Sequence, residues 1–328
     1  MLNRSAEEEH LGASFFRDHA QKRKGINAVN YRILGRTGLR VSEIGFGALE
    51  IGRNWPNWRS ALPDFARPSR EEAIRLVHAV IDAGVNFIDT APAYVDSESI
   101  LGEALQGRRK NVILGTKCGE WFDGKVSRYD YSYDETFRFV EQSLKLLRTD
   151  WLDLLQIHSG SVEVVEQGET MRAMKKLREQ GKVRFLGISV DREEAALAAI
   201  RSGDYDTVQL SYNAARREIE QTAFAEARGR NVGVIVKDSL FTGRLSARKN
   251  DINDSAVRAK IDSIAERAGA FSMPLSEYAL RFVLGNPVVA SAIVGTRSLE
   301  HFRSNLRSCE DTELTQRVRA SEGDVPAV

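Results

Sequence analysis

The feature that most constrains this chain is an eightfold alternation. Short apolar runs recur with amphipathic segments between them, at residues 41–47 (VSEIGFG), 87–89 (FID), 111–117 (NVILGTK) and 152–158 (LDLLQIH). They continue at 183–189 (VRFLGIS), 207–213 (TVQLSYN), 232–238 (VGVIVKD) and 290–296 (ASAIVGT). Rich in β-branched residues and leucine, and without strict polar alternation, they read as parallel strands buried on both faces. The segments between them carry helix signals. Ser69 and Glu72 have the spacing of a capping box, ahead of an apolar face of Ile74, Val77, Val80 and Ile81. Ser132 and Glu135 have the same spacing before Phe139, Val140, Leu144 and Leu147. Residues 170–180, 223–230, 257–269 and 299–308 complete the helical set.

Eight strand–helix repeats predict an α/β fold, a (β/α)8 TIM barrel. An open doubly wound sheet more often carries G-x-G-x-x-G after its first strand, and Gly45-Phe46-Gly47 supplies only the first half of that pattern. Ahead of the first strand, YRILGRTGLRVSEIG reads as a β-hairpin around Arg36-Thr37-Gly38 that closes the barrel bottom. Residues 1–30 form an N-terminal extension without the apolar core of a signal peptide, and residues 31–328 read as a single barrel domain.

In such a barrel the chemistry sits at the C-terminal ends of the strands. The second strand ends in Asp89, with Tyr94 in the loop that follows, before an amphipathic segment. The third ends in Lys117, the fourth in His158, the fifth in Ser189 and the seventh in Lys237-Asp238, while the sixth contains Gln209 and ends in Asn213. Singly, each has an ordinary reading: a loop anchor, a rim lysine, a core histidine, a packing tyrosine. Together on successive strands they form a proton-transfer set. Lys117 is the natural partner of Asp89, since a buried carboxylate left unpaired is costly. A phenol titrates near pH 10, and an adjacent ammonium lowers that value by favouring phenolate. With His158 donating to the same carbonyl oxygen, the set suits reduction of C=O to CH–OH and needs an external hydride donor.

The ordered motifs FIDTAPAY (87–94), SESILG (97–102), TK (116–117), LDLLQIH (152–158), KVRFLGIS (182–189), VQLSYN (208–213) and IVGTR (293–297) resemble the aldo-keto reductase superfamily, over roughly residues 31 to 310. The resemblance implies a catalytic tetrad of Asp89, Tyr94, Lys117 and His158, with tyrosine as general acid. It also implies NADP(H), with NAD(H) the alternative, lying extended across the strand ends. Ser189 and Gln209 would then hold the nicotinamide carboxamide, with Gly47, Ala48, Asp89 and Lys237 close by. The loop Asp238, Ser239, Leu240, Gly243 and Leu245 would follow the pyrophosphate. Gly295, Thr296 and Arg297 would meet the 2′-phosphate, with His301 and Asn305 near adenine. Three residues depart from the family pattern. Val190 replaces an asparagine, Lys237 stands where many members stack an aromatic, and Val95 replaces the glycine after the tyrosine.

The barrel-mouth loops carry Trp55, Trp58, Trp121 and Phe122, which read either as a substrate pocket or as loop packing. The segment KCGEWFDGKVSRYDYS is similar to branches of the family that act on sugars, so the partner is a small carbonyl or sugar substrate. A formal net charge of +1 gives no electrostatic case for nucleic acid or a membrane surface. Two cysteines, Cys118 and Cys309, imply no disulfide framework and point to a reducing cytoplasm. Cys118 reads as a small buried hydrophobe or as a redox-sensitive thiol. Two other functions are compatible with a barrel of this kind: a redox-sensing regulatory subunit of the same fold, and a metal-dependent barrel enzyme. The second wants clustered ligands, whereas the histidines are scattered at 10, 19, 78, 158 and 301, so no metal site is expected.

Overall fold

The computed structural model describes residues 29–54, 67–246, 248 and 253–323. It opens with the antiparallel hairpin β1 (Tyr31–Ile33) and β2 (Arg40–Ser42), joined by a 3-10 turn at Gly35–Thr37. The barrel strands begin with β3 (Ile44–Gly47), β4 (Phe87–Asp89) and β5 (Ile113–Cys118). A second hairpin, β6 (Glu120–Phe122) with β7 (Ser127–Tyr129), interrupts them. They resume as β8 (Leu152–Ile157), β9 (Val183–Ser189), β10 (Thr207–Ser211), β11 (Gly233–Lys237) and β12 (Val289–Gly295). The eight barrel strands pair in parallel and close, β12 onto β3.

The eight runs read from the sequence each supply one of these strands. The first is divided: Val41 and Ser42 belong to the hairpin, and the barrel strand starts only at Ile44. The chain turns at Glu43, whose N–H donates to Asn30 O and whose carbonyl accepts from Ala292 N, so pairing passes there from β1 to β12. The hairpin closes the barrel bottom. Leu34, Leu39 and Val41 pack with Phe87, Leu154, Ile235 and Ala290 in a small apolar cluster inside the barrel. Gly35, at φ +50°, passes so close to the barrel that a Cβ would lie 2.3 Å from Gly233 N. Arg32 fastens the hairpin, donating to Glu43 Oε1 and to the carbonyls of Asn286 and Val289.

The two-residue period of a strand then sorts side chains. Ile88, Leu114, Leu155, Ile157, Ile188, Val208, Val234 and Val236 face outward into the larger core beneath the helices. Phe87, Leu154 and Ile235 face inward at the bottom. Two residues further along the same inward rows stand Asp89, Gln156 and Lys237. That step from apolar to polar, one pleat higher, turns the barrel top into a site.

Of the two capping boxes, the one at Ser69 is complete: Glu72 N donates to Ser69 Oγ and Ser69 N to Glu72 Oε2. The one at Ser132 is half made. Glu135 N donates to Ser132 Oγ, but Ser132 N is taken by Asp130 Oδ1. Five helices among the described residues escaped the sequence reading: Leu49–Gly52, Val162–Gln167, Glu193–Ser202, Leu275–Leu284 and Thr312–Ser321. Leu275–Leu284 is buried continuously from Tyr278 onward, and its Glu277 and Arg281 pair with each other at 2.8 Å, so even its charged residues face inward. Among the described residues no helix is long and apolar enough to cross a membrane.

Candidate active site

Asp89 is the last residue of β4 and is buried, yet its carboxylate is fully satisfied. Oδ2 accepts from Lys117 Nζ at 2.6 Å, while Oδ1 accepts from Gln156 Nε2 at 3.0 Å and Gln209 Nε2 at 3.1 Å. Lys117 Nζ also donates to Thr90 O at 2.9 Å and to the Tyr94 hydroxyl at 3.2 Å. The ammonium thus spends its three hydrogens on three oxygens and bridges carboxylate to phenol. Burial alone would lower the Lys117 pKa, but Asp89 and Tyr94 outweigh it and the net shift is upward. The Tyr94 ring meets the His158 ring edge-on, with centroids 5.7 Å apart.

Tyr94 differs from expectation in one respect. Burial raises its pKa, and together with the charges of Asp89 and Glu120 this exceeds the lowering by Lys117. In the free protein Tyr94 is therefore a firmly protonated phenol. His158 is displaced the other way, well below the ordinary histidine value, by burial and by the cations Lys117, Lys237 and Arg53. It is neutral. Its Nδ1 lies 3.2 Å from Glu120 Oε2, within ion-pair distance but outside hydrogen-bond alignment, so that contact does not fix the tautomer. Ser159 Oγ donates to the same Glu120 oxygen at 3.0 Å.

The set stands at one end of a cleft of about 1530 Å³ that runs across the barrel mouth. Most residues expected to hold a cofactor line it: Gly47, Asp89, Ser189, Gln209, Lys237, Asp238, Ser239, Leu240, Gly243, Gly295, Thr296, Arg297, His301 and Asn305. Two do not. Ala48 and Leu245 are completely buried and pack in the outer core, because neighbouring residues of an extended or turning chain face opposite ways. Lys237 is held at the rim by Ser189 Oγ at 3.2 Å and Asp191 Oδ1 at 2.7 Å. Arg297 Nε lies 3.5 Å from Glu50 Oε2, beside the start of the helix Leu299–Leu306, which Ser298 caps by accepting from His301 N. Gly47 and Gly295 leave bare backbone on the floor. A Cβ on Gly47 would meet Ile293 Cγ2 at 2.8 Å. Val190 points into the outer core and adds no contact to the cleft, where Ser189 and Gln209 stand.

The mouth aromatics divide differently. Trp55 and Trp58 lie outside the described residues. Trp121 is exposed against Phe139, with ring centroids 6.0 Å apart, and does not line the cleft. Phe122 is also absent from the lining; the Arg53 guanidinium covers its ring at 3.6 Å and takes the place facing the cleft. Cys118 is buried and its thiol is pushed up to about 12, so it is an inert apolar residue and not a redox centre.

Sequence reading missed Gln156, Glu120, Arg53, Glu98 and Gly52. Gln156 was visible, since it stands two residues before His158 in a run already recognised as a strand. Glu98 is buried in the helix Ser97–Ala104, accepts from Thr116 Oγ1 at 2.6 Å, and has its pKa raised to about 7 by burial. Its neighbour Ser97 bonds Thr90 Oγ1 at 2.7 Å. The two contacts clamp the residue after Asp89 and the residue before Lys117.

Comparison with known proteins identifies the family to which this fold belongs. The profile described as Aldo/keto reductase family matches residues 43–321. An L-galactose dehydrogenase of Arabidopsis thaliana is 28% identical over 92% of this chain and 95% of its own length. An oxidoreductase of Bacillus subtilis (strain 168), YqkF, is 27% identical over 87% of this chain and 92% of its own. The holo form of the aldo-keto reductase AKR11C1 from Bacillus halodurans superposes with a TM-score of 0.78 at 29% identity, covering 90% of this chain and 95% of that one. The (β/α)8 barrel, the ordered motifs and these relatives lead to one conclusion: the chain belongs to the aldo/keto reductase family of oxidoreductases.

Proposed function

We propose that this oxidoreductase interconverts aldehydes or ketones with alcohols, sugars among them, using NADP(H) and Tyr94 as general acid in reduction and general base in oxidation. The observation that carries the proposal is the bridge made by Lys117 Nζ, 2.6 Å from Asp89 and 3.2 Å from the Tyr94 hydroxyl, opening on a cleft. Because Lys117 donates to the phenol oxygen, the phenolic hydrogen is left for an acceptor in the cleft. A raised pKa keeps that hydrogen in place until a carbonyl develops negative charge. Once the proton has moved, the Lys117 ammonium faces the phenolate and offsets its burial. Asp89, held by Gln156 and Gln209, keeps the ammonium from following the charge. Neutral His158 lines the same end of the cleft and orients the carbonyl.

The cofactor reading rests on fit. The cleft exceeds the roughly 300–1,000 Å³ of ordinary small-ligand pockets, as an extended dinucleotide plus substrate requires. Ser239 Oγ is buried on its wall without a hydrogen-bond partner, and Gly47 and Gly295 keep its floor clear. When bound, the nicotinamide supplies the hydride that these residues lack. Ser189, Gln209 and Lys237 would border the nicotinamide, and the loop Asp238–Gly243 the pyrophosphate. Arg297 suits a 2′-phosphate, for which a guanidinium fork beside a helix start is well shaped. The likeness to an L-galactose dehydrogenase supports sugars as substrates.

The test is a Tyr94→Phe variant assayed with NADPH and a reactive aldehyde. Turnover should fall by about a thousandfold while NADPH binding, followed by nucleotide fluorescence, persists. Undiminished turnover would overturn the role of Tyr94.

A further inference from the structure

Arg53 and Glu120 stand beside the Tyr94–His158 pair; their charges bias its titration, but neither carries a proton in the transfer described above. Glu120 lies at the start of β6 and is almost fully buried, yet it lines the cleft. Its Oε2 receives Ser159 and sits 3.2 Å from His158 Nδ1. Its field acts on Tyr94 as well, which places the carboxylate near the phenol. Arg53 lines the same cleft. It donates to Ala93 O at 3.2 Å in the Tyr94 turn, rests on Phe122, and its buried Nε has no hydrogen-bond partner. Burial lowers the Arg53 pKa, and Glu120, Tyr94 and Tyr129 oppose that shift only in part, so all three lie near the guanidinium.

A carboxylate acceptor and a guanidinium donor therefore flank the place where a carbonyl must sit. Beyond Ser159 for Glu120 and Ala93 for Arg53, an apolar aldehyde would leave their remaining hydrogen-bonding capacity, the Arg53 Nε above all, unused while displacing water from it, at a cost for each buried polar group. An anion would gain Arg53 but meet Glu120. The other cations at this end, Lys117 and Lys237, are already paired with Asp89 and Asp191. Ser127, Ser159 and Ser211 add hydroxyls to the same wall, and the described lining contains no tryptophan or phenylalanine. A neutral substrate with a hydroxyl near its carbonyl can donate to Glu120 and accept from Arg53 together.

We propose that Glu120 and Arg53 form a subsite that selects neutral carbonyl substrates bearing a hydroxyl group close to the reacting carbon. This rests on the carbonyl-reducing reading and narrows it to hydroxyaldehydes and aldoses. A site built to hydrogen-bond a substrate hydroxyl discriminates strongly against the analogue that lacks it.

The experiment compares glyceraldehyde, propanal and glyoxylate with NADPH, in the wild type and in the variants Glu120→Gln and Glu120→Ala. The wild type should prefer glyceraldehyde. In both variants the ratio of kcat/KM for glyceraldehyde over propanal should fall about tenfold, mainly through KM, and melting temperatures identify any variant that has simply lost its fold. If Glu120 acts only by holding His158, both aldehydes lose equally and the ratio stays put, which overturns the proposal. A wild-type preference for glyoxylate overturns it too, since that substrate answers to Arg53 alone. Wild-type turnover of propanal with no gain from the hydroxyl defeats the subsite but leaves carbonyl reduction standing. Failure to turn over any carbonyl with either nicotinamide defeats the broader reading, and the subsite falls with it.

Discussion

Gly52 runs beneath Tyr94 with no room for a side chain: a Cβ on Gly52 would lie 2.2 Å from the Tyr94 carbonyl oxygen and 2.4 Å from Ser97 N. The Gly52 carbonyl in turn accepts from Asp96 N at 3.3 Å and from Arg67 Nη1 at 2.7 Å. The tyrosine loop is thus seated on the short helix Leu49–Gly52 that follows β3. Replacing Gly52 by alanine should push that loop upward. Overpacking of this kind costs about 1–3 kcal/mol, and a displacement near 1 Å at a reacting group lowers rate by about a hundredfold. Gly52→Ala should therefore show a lower midpoint in urea and a fall in kcat greater than the stability loss explains. Full activity in Gly52→Ala would mean the Tyr94 loop is not seated this way.

Val95 tests the same loop from the opposite direction. Its backbone lies at φ 56°, ψ −94°, near the rare γ-turn region, and its side chain is exposed. A β-branched residue there is strained by roughly 1–3 kcal/mol, of which glycine would return part after its own entropic penalty of about 0.5–1 kcal/mol. Val95→Gly should raise stability by about 1 kcal/mol in equilibrium unfolding. A destabilised variant would show that the valine side chain is wanted where it stands.

These two residues mark where sequence reading stops. The barrel, its bottom hairpin and the Asp89–Tyr94–Lys117–His158 set were legible, because strand periodicity and polar residues at strand ends are local signals. Val95 was legible as a departure, although its positive φ was not. Gly52, Arg53 and Glu120 come from loops, and closure of the barrel brings them to Tyr94 with no pattern in the chain to announce it. Gln209 shows a subtler gap: expected beside the nicotinamide, it also gives its amide hydrogen to Asp89. Of the two readings of Trp121, the structure shows packing: β6 pairs with β7, and the ring lies against Phe139 outside the cleft lining.

Glu98 carries a pH prediction. Its carboxyl is raised to about 7 by burial, beyond what Thr116 recovers, and Oε2 has no partner because Ser143 Oγ falls short of hydrogen-bond geometry. The folded state therefore holds this proton more tightly than the unfolded chain, where glutamate titrates near 4.3. The associated stability is fully present below about pH 4, falls as pH rises through the interval, and is gone above about 7. Glu98→Gln keeps an acceptor for Thr116 and cannot ionise. Its stability relative to wild type should rise by on the order of 3–4 kcal/mol between pH 4 and pH 8, measured by urea unfolding at both values. An unchanged difference would show that Glu98 does not titrate in that range.

Arg297 and Glu50 make the sharpest test of the cofactor assignment, because they should respond with opposite signs. Arg297 Nε lies 3.5 Å from Glu50 Oε2, and both line the far part of the cleft. A 2′-phosphate placed there would bond the guanidinium while facing the carboxylate, so Glu50 opposes what Arg297 favours. Removing a charge-assisted contact costs about 1.5–3 kcal/mol, which is roughly tenfold to a hundredfold in Kd. Arg297→Ala should weaken NADPH by that factor while shifting NADH less than about twofold. Glu50→Gln should tighten NADPH and leave NADH alone. Equal effects of Arg297→Ala on both nucleotides, in titrations followed by fluorescence, would show that Arg297 does not read the phosphate that distinguishes them.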